Sequence, residues 1–476
     1  MKNTLQFPQN FSRSVRIITL ALLALSLAVC AQAQTLTFLT QFTGTQTHAT
    51  SVIQATDGNF YGATVGDNNQ NYGTIFRMTS TGELSTIYTF CSQPNCADGE
   101  QPYVGPILGK GGNLYGVVHS GGNATGSGTF YKMTLDGQLT TLYTFCSLQN
   151  CADGQVPNGV IQGWDGNFYG TTELGGANNS GTFFQISPSG MFKVLHSFCS
   201  LAKCVDGAGA NVIQGIDGNF YGTGGGGTLG GGVFYQVTPG GTYKVLHNFC
   251  FYTDVNCTGS YPTAIVQDAK GNFFGATEFG GHNGYGTVFE LTSQYQYRVL
   301  HWFDANHGKY PIFGLTLANG GNFYGTTNDA SPPDNGTLFE ITPTGVYTPL
   351  YRFGCCNTGY DPWSPLFQGT DGLLYGTTLY GTGRCCYGTI FSLDNGLSRL
   401  VETVPTGGKV GQSIIILGNG LTGSTSVTFN GIPAVFTVES DTYIKAAVPT
   451  AATTGTVSVV TPSGTLNSNP QFVVTK

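Results

Sequence analysis

Short runs of aromatic and β-branched residues recur along this chain, each closed by polar, glycine-rich breaks. In one unit they fall at residues 159–163, 167–172, 181–187 and 192–198. Such runs, with glycine, asparagine and proline between them, predict strands. A five-residue signature sits inside the second run of every unit. It reads Gly58-Asn59-Phe60-Tyr61-Gly62 at first occurrence, and its opening glycine returns as Gly112, Gly166, Gly218, Gly271, Gly321 and Gly372. The spacings are 54, 54, 52, 53, 50 and 51 residues. Four strands repeated at a near-constant period of this length predict the blades of a β-propeller.

The first two runs of each unit are separated by pairs such as Asp57-Gly58, Asp165-Gly166 and Gly320-Gly321. These pairs predict two-residue hairpins of type I′, so their aspartates are read as turn formers. The fourth-strand pattern appears once before the first signature, at residues 36–42, and none remains spare after the seventh. The N-terminal run is therefore expected to complete the last blade beside residues 388–393, leaving no free sheet edge. This gives seven blades over residues 34–401. In a four-stranded meander, the two-to-three and four-to-one connections share one face. The glycine-rich insertions at 66–72, 120–127 and 279–285 belong to the first kind. The cysteine-bearing loops belong to the second.

From residue 402 the period stops. Pro405-Thr406-Gly407-Gly408-Lys409-Val410-Gly411 leads into short apolar runs at 413–417, 426–431, 444–449, 456–461 and 471–474. Close-spaced short strands predict a small β-sandwich over residues 402–476. Its Pro-x-x-Gly-x-x-Gly entry, its Gly418-Asn419-Gly420-Leu421 turn, Val427-Thr428-Phe429-Asn430-Gly431 and Thr461-Pro462-Ser463-Gly464 resemble an IPT/TIG domain of the immunoglobulin-like class. The propeller signature, Asp-Gly-Asn-Phe-Tyr-Gly-Thr-Thr followed by Gly-Gly and Gly-Thr-Val/Ile-Phe, is similar to the GloVer tandem repeat of bacterial exported, choice-of-anchor proteins. That resemblance implies export and carries no catalytic residue to this chain. The fold class read here is all-β: a seven-bladed propeller followed by an immunoglobulin-like sandwich.

Composition adds an address. Lys2, Arg13 and Arg16 precede an apolar run at 17–29 that is short for a bilayer span, and Ala31-Gln32-Ala33 fits a cleavage site. Residues 1–33 therefore read as a signal peptide, giving a secreted, periplasmic or cell-surface protein. An uncleaved anchor helix and lipidation at Cys30 are the competing readings. Charged residues make up only 9% of the chain and the net charge is −7. With no basic stripe, a nucleic-acid partner is excluded; no later run is long and apolar enough for a transmembrane helix. Twelve cysteines remain after Cys30, and export favours disulfides over thiols or zinc. Cys91/Cys96, Cys146/Cys151, Cys199/Cys204 and Cys250/Cys257 form local pairs in equivalent loops. Cys355-Cys356 and Cys385-Cys386 bridge either between the two doublets or within each.

Little of the sequence reads as catalytic chemistry. His196, His247 and His301 fall where other units carry Tyr88, Tyr143 and Tyr351, so they read as packing residues with a polar tip. The residue ending strand two varies most: Val65, His119, Glu173, Gly225, Glu278, Asn328 and Leu379. Variable loop-edge residues on a rigid scaffold are the usual place for recognition. His119, Glu173, Glu278 and Asn328 are therefore the expected ligand contacts, on the cysteine-bearing face, with no metal or cofactor. The expected function is a non-catalytic exported binding or surface protein whose partner is an extracellular glycan or surface protein. A polysaccharide lyase or glycoside hydrolase on the same loops, and a ligand-free spacer, are the rivals.

Overall fold

A computed structural model describes residues 34–43, 48–66, 72–254, 256–328, 335–354, 359–381 and 387–475. Signal segment, Cys30 and both cysteine doublets lie outside them. Six four-stranded antiparallel meanders run in chain order from Ala49–Gln54 to Tyr347–Arg352. The seventh is assembled from both ends of the ring. Thr35–Gln41 pairs antiparallel with Thr389–Asp394, which pairs with Leu374–Tyr380. Phe42 NH continues that ladder to the Gly388 carbonyl at 3.0 Å, and the Phe42 side chain is buried with Phe60, Phe76 and Tyr375 of the blade junction. The closure expected from counting strands is present.

The signature is explained by the packing of a blade. Asp57 Oδ1 accepts from Asn59 NH at 3.1 Å, and Asp57 Oδ2 accepts from the Asn59 amide at 2.7 Å and the Tyr61 hydroxyl at 2.8 Å. The same set recurs around Asp165 and Asp217. One carboxylate thus fixes the turn and satisfies a tyrosine that would otherwise bury an unpaired hydroxyl. Gly62 follows because a Cβ there would sit 2.5 Å from the Phe76 ring on strand three. Threonine pairs such as Thr64–Thr74 at 2.8 Å and Thr327–Thr337 at 2.7 Å bond across strands two and three in buried surroundings.

The turn itself differs from the expected two-residue type. Gly58 NH donates to Ala55 O and Ala55 NH donates to Asn59 O, both at 3.0 Å. Gly58 has φ +80°, while Asp57 is not in the left-handed region. This is a three-residue loop, a type I turn followed by one left-handed residue in a G1 bulge. Asp-Gly serves both geometries. The same two bonds close the turns at Gly109–Asn113 and Ala318–Asn322, which lack the aspartate, so the carboxylate braces this turn without setting its length.

Strand one of each blade ends beside the propeller axis. Gln54, Gln162, Gln214, Gln267 and Gln368 stand there, and each side-chain carbonyl accepts from a turn NH of the preceding blade, at 2.8–3.1 Å. This girdle ties blades together on the tight-turn face. Leucines interrupt it at Leu108 and Leu317. At these gaps the C-terminal module docks. Thr442 Oγ1 donates to Thr56 O at 2.8 Å, and Asn469 Nδ2 donates to Leu317 O at 3.0 Å.

That module is a sandwich of Glu402–Val404, Ser413–Leu417, Tyr443–Ala447 and Phe436–Ser440 against Ile432–Pro433, Ser426–Phe429, Val457–Thr461 and Gly464–Asn467. Ile414, Ile416, Val427, Phe429, Ile444 and Phe472 build its own core. The alternate residues Ile415 and Leu417 turn outward and share an apolar cluster with Ala55, Tyr61 and Leu108 of the propeller. The strand Ser413–Leu417 is therefore buried on both faces.

Candidate functional site

The face opposite the docked module carries the cysteine loops. Disulfides join Cys91–Cys96, Cys146–Cys151, Cys199–Cys204 and Cys250–Cys257. Within three of these loops a buried aspartate accepts from two successive backbone NH groups. Asp98 takes those of Ser92 and Gln93, Asp153 those of Ser147 and Leu148, and Asp206 those of Ser200 and Leu201. Each loop also lies against the two-to-three loop of the next blade: Gly122, Gly176, Gly227 and Gly281 donate backbone NH groups to the carbonyls of Cys96, Cys151, Cys204 and Cys257 at 2.8–3.0 Å. The two loop sets form one surface, as the strand order implied. Non-reducing peptide mapping is expected to return these four local pairs, and chain entropy gives each roughly 2–3 kcal/mol; four pairs of free thiols in protein from an oxidising compartment would overturn the assignment.

Two concentric sets of residues line this surface near the axis. One is the strand-two exit set named from the sequence. The other, missed by sequence reading, is the residue entering strand one. His48, Gln101, Val156, Tyr261, Tyr310 and Asp361 occupy it, with φ of 24°, 58°, 61°, 55°, 58° and 55°. Left-handed backbone is unfavourable for such side chains, at about 1–3 kcal/mol each. Its cause is visible. Gln101, Val156, Tyr310 and Asp361 donate their NH groups to the preceding blade's Tyr72, Ser127, Tyr285 and Asn335 carbonyls. The proline that follows five of the six packs on a glycine of that blade; a Cβ on Gly128 would lie 2.7 Å from Pro157 Cδ. Five aligned X-Pro pairs were the available signal.

Cross-strand register puts the two sets side by side: Gln101 with His119, Val156 with Glu173, Tyr261 with Glu278, Tyr310 with Asn328. Of the four expected contacts, His119 and Glu173 are brought together from adjacent blades, His119 Nε2 to Glu173 Oε2 at 3.8 Å. The Tyr103 ring stands edge-on to His119, centroids 4.8 Å apart. Burial pulls the His119 imidazole below its ordinary pKa, against the opposing pull of Glu173. Glu278 and Asn328 lie in blades five and six, and burial raises the Glu278 carboxyl.

Beside Glu278 and Asn328 the surface is aromatic. Tyr252, Tyr261, Phe279, Tyr310 and Tyr285 form a chain of ring contacts with centroids 5.5–6.4 Å apart. Lys309 Nζ lies 5.2 Å over the Tyr285 ring. Tyr252 and Tyr261 remain 49% and 42% exposed, and Tyr103 across the axis 50%. Large rings left this exposed on a disulfide-held surface are unusual for a face with no partner.

The strand-four histidines are elsewhere. His196, His247 and His301 stack on Tyr243, Tyr297 and Tyr347 of the following blade at 4.3, 4.5 and 4.2 Å. Burial holds His247 and His301 at about 4, so they stay neutral packing groups.

The architecture so defined is a seven-bladed propeller closed by its N-terminal strand, with an immunoglobulin-like module plugging one end. The chain belongs to the Gloeobacter/Verrucomicrobia repeat family, which matches residues 27–223 and 208–432, and carries an IPT/TIG domain at 399–474. No curated protein matches its sequence. Among solved structures, a streptogramin B lyase aligns with TM-score 0.52 and 14% identity, covering 76% of this chain and 97% of its own. The virginiamycin B lyase of Staphylococcus aureus aligns with TM-score 0.50 and 12% identity, covering 76% and 99%. At such identities the likeness is one of fold. Repeat and TIG domain together point to a surface or binding protein. Among the described residues no helix is long and apolar enough to cross a membrane, and the four disulfides are consistent with an extracellular setting.

Proposed function

We propose that this is an exported binding protein. Its signal peptide is residues 1–33, its propeller residues 34–401 and its TIG domain residues 402–476. The cysteine-bearing face of the propeller takes an extracellular glycan. The observation that supports this reading is the aromatic chain from Tyr252 to Tyr285, exposed at Tyr252 and Tyr261 and flanked by Glu278 and Asn328. Ring faces cover the C–H faces of sugars, while carboxylates and amides take their hydroxyls. Loops already held by disulfides and by a strained backbone lose little entropy on binding.

A glycan array probed with residues 34–476 is the direct test. Tyr252→Ala and Tyr261→Ala should each weaken a glycan hit by about tenfold or more, as truncation of an aromatic anchor does. Alanine at His119, Glu173, Glu278 and Asn328 together should weaken it too, with stability changed by no more than about 0.5 kcal/mol at exposed Glu173 and by about 1 kcal/mol at each of the half-buried other three. Binding that survives both sets and is abolished by alanine at exposed TIG positions such as Val435 and Val460, with the melting temperature unchanged, would move the site to the TIG domain. A second reading, a polysaccharide lyase, draws on the His119–Glu173 pair beside Tyr103. Polymer cleavage abolished by His119→Ala would establish it, and absence of cleavage would remove it.

A further inference from the structure

Where the TIG domain closes the axial channel, it leaves a chamber of about 540 Å³. The walls are the strand-one residues that face the axis, among them Ile53, Ile107, Ile161, Ile213 and Val266, and the floor is the strand Glu402–Val404. Alternation along that strand explains the floor. Val401 packs in the TIG core and Thr403 is buried on the same side, while Glu402 and Val404 turn the other way, toward the propeller. No other residue lining the chamber is ionisable. Four of the five lining glutamines, Gln54, Gln162, Gln214 and Gln267, have their side-chain carbonyls taken up by the girdle. No side chain or backbone group among the described residues bonds the Glu402 carboxyl. Burial raises its pKa to about 7.

A lone carboxylate facing an apolar wall is unfavourable unless a cation meets it. Cavities of this size, largely apolar with a small number of placed polar groups, are typical of small-molecule sites.

We propose that this chamber is a second binding site, for a small organic cation, an ammonium group on an apolar body, with Glu402 as its counter-ion. It is independent of the glycan face, because it lies at the other end of the axis. The apolar body lies against the isoleucine ring, and the ammonium replaces the proton that the empty site favours on Glu402. Binding near neutral pH therefore releases up to one proton from the carboxyl. The sign for stability follows from the same shift. The raised carboxyl makes the empty fold less stable as pH climbs from the ordinary carboxylate range through about 7. Glu402→Gln should remove that dependence, melting with the parent at pH 5 and above it at pH 8.

The test uses residues 34–476 and phenethylamine, with phenethyl alcohol as the uncharged control, by calorimetry in two buffers of different ionisation enthalpy. Expected is amine binding with buffer-dependent heat that reports proton release. Glu402→Gln should weaken the amine at least about tenfold and leave the alcohol unchanged. Ile161→Phe, which shrinks the chamber and keeps the carboxyl, should weaken amine and alcohol alike. Equal amine affinity in parent and Glu402→Gln, or no amine binding at millimolar concentration by a parent protein that shows the pH 5 to pH 8 melting difference, would overturn the proposal.

Discussion

Removing residues 34–42 should leave a protein without a cooperative native melt. Blade seven would lose the partner of Thr389–Asp394, and the ring would open along two sheet edges. Leu36 and Phe38 would leave the cluster around Phe391 and Leu393, and Leu39 and Phe42 the cluster around Phe76 and Tyr375. A buried phenylalanine alone is worth about 3–5 kcal/mol against alanine, and a whole domain has only about 5–15. Phe42→Ala provides the graded version: it should lower stability by about 3–5 kcal/mol in denaturant titration with the fold retained. A truncated chain that melts with the parent would show that the ring closes without its N-terminal strand.

The second large effect concerns the TIG domain, which is packed on the propeller rather than tethered to it. Ile415 and Leu417 are almost fully buried at the junction and take no part in the TIG core. Ending the chain at residue 401 should uncover Leu108, Ala55 and their neighbours, lower the melting temperature and drive self-association, read by light scattering. Leu417→Ala should cost about 2–5 kcal/mol, and Ile415→Asp more, because it buries an unpaired charge. Both should act on the junction while the TIG sheets stay folded. A truncated propeller that stays monomeric and equally stable would make the junction incidental.

The ring was legible because its signals repeat. Seven copies of one turn, six of them followed by the tyrosine and one by Phe274, fix blade number and strand order, and the unmatched run at 36–42 had only one vacant place to go. The turn geometry was not legible, since Asp-Gly and Gly-Gly fit both loop lengths and only the backbone bonds joining Ala55 to Gly58 and Asn59 tell them apart. Docking of the TIG domain left one trace. Ser413-Ile414-Ile415-Ile416-Leu417 does not alternate, and a continuous apolar strand is one covered on both faces. The cavity on the tight-turn face is formed with a second domain, so no single repeat displayed it. Of the expected contacts, His119 and Glu173 meet. The aromatic surface beside Glu278 is assembled from three blades, so no single repeat displayed it. Glu402 stands alone in its strand, and a single carboxylate leaves no periodic mark.

Closing a ring with its own beginning has a kinetic consequence. Gln41 and Thr389 are partners in the finished sheet, so this contact joins nearly the full span of the repeats. By polymer statistics, a loop of that length costs on the order of 5 kcal/mol of chain entropy to close. The six meanders between can form from local contacts as they emerge, whereas the last blade waits for the final repeat. Folding should therefore be sequential and late to complete, with an early population in which Thr389–Asp394 still exposes the edge that Thr35–Gln41 will cover. Hydrogen exchange pulsed during refolding would find amides of the first six blades protected before those of Thr35–Gln41.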